Sequence, residues 1–216
     1  MVSVSISNPD KLKILDESEG KAYYGCDQNW YNTQRQRFAG CGPSVASNLM
    51  LYLNNSKGDT WPKQCCNSRE TCLSLMEEMW KYVTPAEKGI PSAELFCEDL
   101  LAYAKANGME VEYHFCDLPQ DKSKRPGLPE VIKFIDSALA KDVPVAFLNL
   151  CNGEEKKLDV WHWVTVISLE HEEDGERAFV DILDVGAVSR IDLALWYNTT
   201  KLGGGFAYFS KINYSL

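Results

Sequence analysis

The chain has no surplus of positive charge: 22 Lys and Arg stand against 31 Asp and Glu over 216 residues, a net charge of −9. Binding to nucleic acid or to an anionic membrane needs a basic face, so neither is expected as a partner. No apolar run is long enough to cross a bilayer, and the first residues pass into Asp10, Lys11 and Lys13 without the apolar core of a secretory signal. The expectation is a cytoplasmic protein whose eight cysteines are reduced thiols rather than a disulfide framework. None of those cysteines has Cys-x-x-Cys spacing, and all three histidines lie beyond Cys65, Cys66, Cys72 and Cys97. That pattern does not fit a zinc site, and no metal or cofactor is expected. Internal repeats and low-complexity tracts are also missing. At this length, with 45% hydrophobic residues, the whole of 1–216 reads as a single domain around one sizeable core.

The most informative feature present is Ala39-Gly40-Cys41-Gly42-Pro43-Ser44, followed by an apolar run over 45–53. Val45, Leu49 and Leu53 recur at i, i+4 and i+8, with Ala46 and Met50 beside them, which predicts a helix with one face on a core. Pro43 suits its first turn, where the missing N–H costs nothing. Cys41 therefore sits at a helix N-terminus, where unpaired N–H groups and partial positive charge favour a thiolate. Gly40 and Gly42 would let the backbone turn sharply and leave room for a substrate. Read alone, Cys41 could equally be one more buried structural cysteine.

Partners for such a nucleophile occur further on. His162 lies in Trp161-His162-Trp163-Val164-Thr165-Val166-Ile167, a β-branched and aromatic run that predicts a buried strand. The run 178–186 predicts a second strand, joined to the first by the acidic turn 170–176. That hairpin would return Asp184 or Asp181 alongside His162. The two carboxylates stand an odd number of positions apart, so they face opposite sides of the sheet and only one can reach the imidazole. A nucleophile, a base and an orienting acid form a chemically complete set. Trp161 and Trp163 are expected in the core, and His114 and His171 at the surface.

These residues carry a family resemblance. The Tyr23-Tyr24 pair with Gln28 downstream, Cys41-Gly42-Pro43-Ser44, Val143-Pro144-Val145, His162-Trp163-Val164 and Ile182-Leu183-Asp184-Val185-Gly186 together resemble the papain-like cysteine peptidases. They are most similar to the branch of double-glycine leader peptidases that process bacteriocin precursors. The resemblance runs from Tyr23 to about Ile191, although between Asn54 and Lys141 it is only of general helical character. It implies an α+β fold, a helical half packed against an antiparallel sheet, acting on a peptide or amide substrate. Cys41 matches the nucleophile, His162 the base and Asp184 the orienter, with Val185 where that family has Pro. The oxyanion-binding glutamine is matched by Gln28, with Gln34 and Gln36 as alternatives in a stretch that reads as a solvated loop. Acyl transfer of the phytochelatin-synthase type, or a non-catalytic peptide-binding module, would use the same parts. Cys26, close to Gln28, is a candidate for a regulatory disulfide with Cys41.

The remaining chain predicts a helix opened by a capping box at Asn67-Ser68-Arg69-Glu70, a helix over 92–106 closed by Asn107-Gly108, and a strand over 109–115. After a Pro- and Lys-bearing connector over 118–128 come a helix over 129–140, a strand over 143–148 and a last strand over 206–209.

Overall fold

The computed structural model describes residues 1–56, 68–87 and 89–214. From the N-terminus, β1 (Val2–Ser5), β2 (Lys13–Asp16) and β3 (Lys21–Tyr24) precede the helices α1 (Gln34–Ala39), α2 (Cys41–Ser56), α3 (Arg69–Met79) and α4 (Ala93–Ala106). Then follow β4 (Met109–Leu118), α5 (Leu128–Leu139), β5 (Val145–Asn149), β6 (His162–His171), β7 (Ala178–Asp184), β8 (Ala187–Asp192), α6 (Leu193–Thr199) and β9 (Gly204–Tyr214). The helix-rich first half packs on a seven-stranded sheet of order β4-β9-β5-β6-β7-β8, with β1 paired to the far end of β6. Every pairing in that sheet is antiparallel, as the α+β expectation requires.

Local chemistry explains the boundaries. Ser92 caps α4 by accepting from the Leu95 N–H, and Asn107 closes it. Pro129 occupies the first turn of α5. The cap of α3 is Ser68, which accepts from the Thr71 N–H. Asn67, expected to share in that cap, lies outside the described residues, as do Cys65 and Cys66. The connector 118–128 is held rather than loose: Arg125 donates to the Pro119 carbonyl at 2.6 Å and to the Thr200 carbonyl at 3.1 Å.

α2 is buried along nearly its whole length after Cys41, not on one stripe, because β6 covers one side and α3 another. An all-round burial of that kind marks a central helix. Its polar Asn48 is made tolerable by two bonds, one accepted from the Cys26 N–H at 2.7 Å and one donated to Thr165 Oγ1 at 3.0 Å. α2 is thereby tied to β6 by hydrogen bonding as well as by packing. The stretch around Gln34 and Gln36 is not a solvated loop. It forms α1, opened by a reciprocal capping box between Thr33 and Gln36.

Candidate active site

α2 begins at Cys41 itself, with the Ser44 N–H bonding back to the Gly40 carbonyl at 3.0 Å as its first turn. Sixteen residues of aligned peptide dipoles put their positive end at the thiol. The glycines on either side are needed for packing rather than for open space. A Cβ at Gly40 would stand 2.4 Å from the Gln36 carbonyl oxygen and 2.5 Å from the Tyr31 ring. One at Gly42 would stand 2.8 Å from Ile90 Cδ1. Ile90 is in turn fixed by its carbonyl, which accepts from Trp163 Nε1 at 3.0 Å, and Trp163 stacks on Phe96 with ring centroids 4.5 Å apart. Trp163 is thus the expected core residue and it braces the start of α2.

β6 opens with His162, which is buried, and β7 ends with Asp184. His162 Nε2 meets Asp184 Oδ1 at 2.7 Å. The antiparallel register between β6 and β7, with a bulge between Val166 and Ser168, brings the strand ends together. That leaves the other ring nitrogen open, and Cys41 lies close enough to act on the imidazole. Burial works against a charged ring here and by itself would lower its pKa. The hydrogen bonds to Asp184 and Cys41, with the charges of both, override it and raise the value from 6.5 to about 10. The ring is therefore held as imidazolium at neutral pH. Asp181 points elsewhere, accepting from Ser168 Oγ at 2.6 Å and facing Arg190 at 3.9 Å.

Of the glutamines, Gln28 is half-buried and donates through Nε2 to the Arg37 carbonyl at 2.9 Å, on the segment that leads into Cys41. Gln34 is exposed. Gln36 is buried and its amide is committed to Glu77 Oε2 at 2.5 Å, so the surface position expected for it is corrected. Cys26 hydrogen-bonds the Cys72 thiol, which together with burial pushes its own pKa well up and keeps it protonated. Its thiol partner is thus Cys72 of α3, rather than the Cys41 expected for it. His114 is half-buried against Ser210 Oγ at 2.8 Å and stacks on Tyr208, and His171 binds the Glu172 carbonyl. Among the described residues, no group of three or more His, Cys, Asp and Glu side chains is placed to hold a metal ion, and no helix is long and apolar enough to cross a membrane.

Two positioning residues were not picked out from the sequence. Asn48 ties α2 to β6 as described, and Asn149 does the same for the turn before His162. Fully buried and paired with His162 across β5 and β6, Asn149 donates to the Asp159 carbonyl at 2.6 Å and accepts from Trp196 Nε1 at 2.8 Å. The signal available for Asn48 was a polar residue inside an apolar helical run. For Asn149 it was a polar end to a strand that is otherwise wholly apolar.

No protein-family model matches the chain, and no curated protein matches its sequence. Among solved structures it is similar to the crystal structure of UfSP from C. elegans, with a TM-score of 0.50 and 8% sequence identity. The match covers 99% of this chain and 34% of that one, so the chain spans about a third of that protein's length. At such low identity the likeness speaks for the fold alone, which is the papain-like cysteine peptidase fold.

Proposed function

We propose that the chain is a papain-like cysteine hydrolase that cleaves a peptide or amide bond through an acyl-enzyme on Cys41. The observation that carries this reading is the meeting of Cys41, His162 and Asp184 from three separate elements, with the imidazole charged by its two partners. In the pair the proton of Cys41 already rests on His162, and the thiolate attacks the carbonyl carbon. The oxygen, as it becomes negative, is met by the Cys41 N–H at the start of α2 and by the Gln28 amide. His162 then protonates the leaving amine, and a water molecule resolves the thioester with His162 as base. Asp184 holds Nε2 and so leaves the other nitrogen facing sulfur throughout. The free thiols suit a reducing compartment such as the cytoplasm.

Within this class the motif resemblance favours a leader-peptide substrate, so a peptide with a Gly-Gly bond is the first to assay. The test is the second-order alkylation rate of Cys41 by iodoacetamide, read by peptide mass spectrometry in the wild type and in His162→Ala. A much faster wild type supports the reading and justifies a peptide screen in which a thioester on Cys41 is trapped by acid quench. Equal rates, with peptide still bound, would turn the reading into a binding module. Formation of γ-glutamylcysteine oligomers from glutathione would turn it into acyl transfer.

A further inference from the structure

A sheet that does not close on itself leaves two edge strands, each with a row of N–H and C=O groups that no neighbouring strand pairs. Here the edges are β8 and β4. β8 is blunted: the Tyr24 N–H donates to the Gly186 carbonyl at 2.8 Å just before it, and the Lys157 ammonium donates to the Arg190 carbonyl at 2.7 Å. β4 has no such cover. Among the described residues, the one hydrogen bond made to its backbone from outside the sheet is the weak one from the Cys97 thiol to the His114 carbonyl, at 4.0 Å. The strand is ten residues long and contains no Pro, Gly or Lys that would spoil it as a template for pairing. Its one irregularity with β9 comes from Ser210, the extra residue on the β9 side, so β4 itself runs unbroken.

Side chains alternate between the faces of a strand, so Val111, Tyr113 and Phe115 share one face and Glu112 and His114 the other. Tyr113 and Phe115 are exposed by 37% and 39%, with ring centroids 6.4 Å apart. His114 uses Nε2 for Ser210 Oγ at 2.8 Å, and its Nδ1 has no hydrogen-bond partner among the described residues. Glu112 is exposed, and its nearest charged neighbour among them is the ring of its own chain's His114, 3.9 Å away. When two identical strands pair antiparallel about a two-fold axis, the residue on the axis sets the register. With Glu112 on the axis, two carboxylates face each other. With His114 there, two imidazoles do, and Val111 faces Asp117. With Tyr113 on the axis, Tyr113 faces Tyr113, Val111 faces Phe115, and Glu112 faces His114 twice, with no like charges opposed.

We propose that β4 is an interface for a second copy of this chain, paired antiparallel about a two-fold axis at Tyr113, so that the two sheets run on as one. Complementarity of the strand with itself selects this occupant. The carboxylate of Glu112 meets the imidazole nitrogen that its own chain leaves unused, while the exposed rings of Tyr113 and Phe115 cover those of the other copy and Val111 on the opposite face. The axis repeats every contact, so each side chain counts twice. His162 lies on β6 and Asp184 on β7, neither of them at this edge, and the inference does not depend on the hydrolase reading.

The test is sedimentation velocity of the whole chain in reducing buffer at neutral pH, up to about 100 µM, where a monomer–dimer equilibrium is expected. Glu112→Lys removes the acceptor that faces His114, and His114→Glu opposes two carboxylates. Each should raise the dissociation constant by about tenfold. Combined in one chain, the two substitutions restore opposite charges in the same register and should return the constant to within about threefold of the wild type. Tyr113→Cys tests the register without altering a charge, and its exposed position keeps the fold intact where a charge variant does not. Directly opposite Cα atoms stand about 4.5–5.5 Å apart, within disulfide range, so diamide, which takes up the two thiol hydrogens, should join the introduced thiols of two copies. In Val111→Cys the introduced thiols would sit on residues about 13 Å apart along the strands and should stay unlinked; peptide mass spectrometry reads both. A wild type that stays monomeric, a dimer indifferent to both single substitutions, a loss that the double variant does not restore, or a link at 111 in place of 113 would overturn the proposal.

Discussion

Asp184→Asn isolates the charge that lies 2.7 Å from His162 Nε2 while keeping the size of the side chain. In the wild type, burial opposes the imidazolium and the partners outweigh it, so that the pKa reaches about 10. With the carboxylate neutral, burial regains part of its influence against the remaining effect of Cys41, and the value should fall below that of the wild type. With only three histidines in the chain, the His162 ring signals can be assigned by substitution and followed by NMR from pH 5 to 11. A midpoint near 10 in the wild type and a clearly lower one in Asp184→Asn is the expected pair. Because the folded-state value is raised, the contribution of the pair to stability is complete below about 6.5 and is lost as pH rises through about 10. Turnover of any substrate should fall by roughly two to four orders of magnitude in the variant. A wild-type midpoint between 6 and 7, or one that Asp184→Asn leaves in place, would refute the argument.

Asn48→Ala strands two buried groups, the Cys26 N–H and Thr165 Oγ1, and should cost about 2–4 kcal/mol, measured by urea unfolding. Gly40→Ala should destabilise by about 1–3 kcal/mol, because its new methyl meets a backbone carbonyl and a ring, whereas Gly42→Ala meets only the flexible tip of Ile90 and should cost less; parallel melts compare them. Among the described cysteines, Cys151 should be the main thiol alkylated in a Cys41→Ala background, since backbone N–H groups of Lys201 and Gly153 lower its pKa, while buried Cys26, Cys72 and Cys97 stay unmodified; peptide mapping reads the order.

The helices and the central strands were legible because their period reports burial directly. The apolar run after Cys41 and the β-branched run after His162 could be read to within about four residues of their ends. The hairpin of β6 and β7 was legible too, since an acidic turn separates two apolar runs, and it carried Asp184 to His162. What failed did so for local reasons. α1 is too short and polar to show a period, and its evidence is one reciprocal cap between Thr33 and Gln36. β8 is largely exposed, with a polar and mixed sequence, so its place in the sheet depends on pairing with β7. Trp161 was expected in the core because tryptophan usually is, whereas it stands 46% exposed at a positive φ that no side-chain pattern reveals.

On the hydrolase reading proposed above, the strand order has a consequence for the time at which the chain becomes dangerous to its neighbours. β9 is made after every other described strand, yet it lies inside the sheet between β4 and β5. β5 ends in Asn149, which holds the turn before His162 and leans on Trp196 from α6. A nascent chain can form α2 and display Cys41 early, but its base has no fixed seat until some 170 residues later, when the sheet closes. Synthesis itself then acts as a safety catch, and a truncated product lacking β9 would carry the thiol without the means to use it.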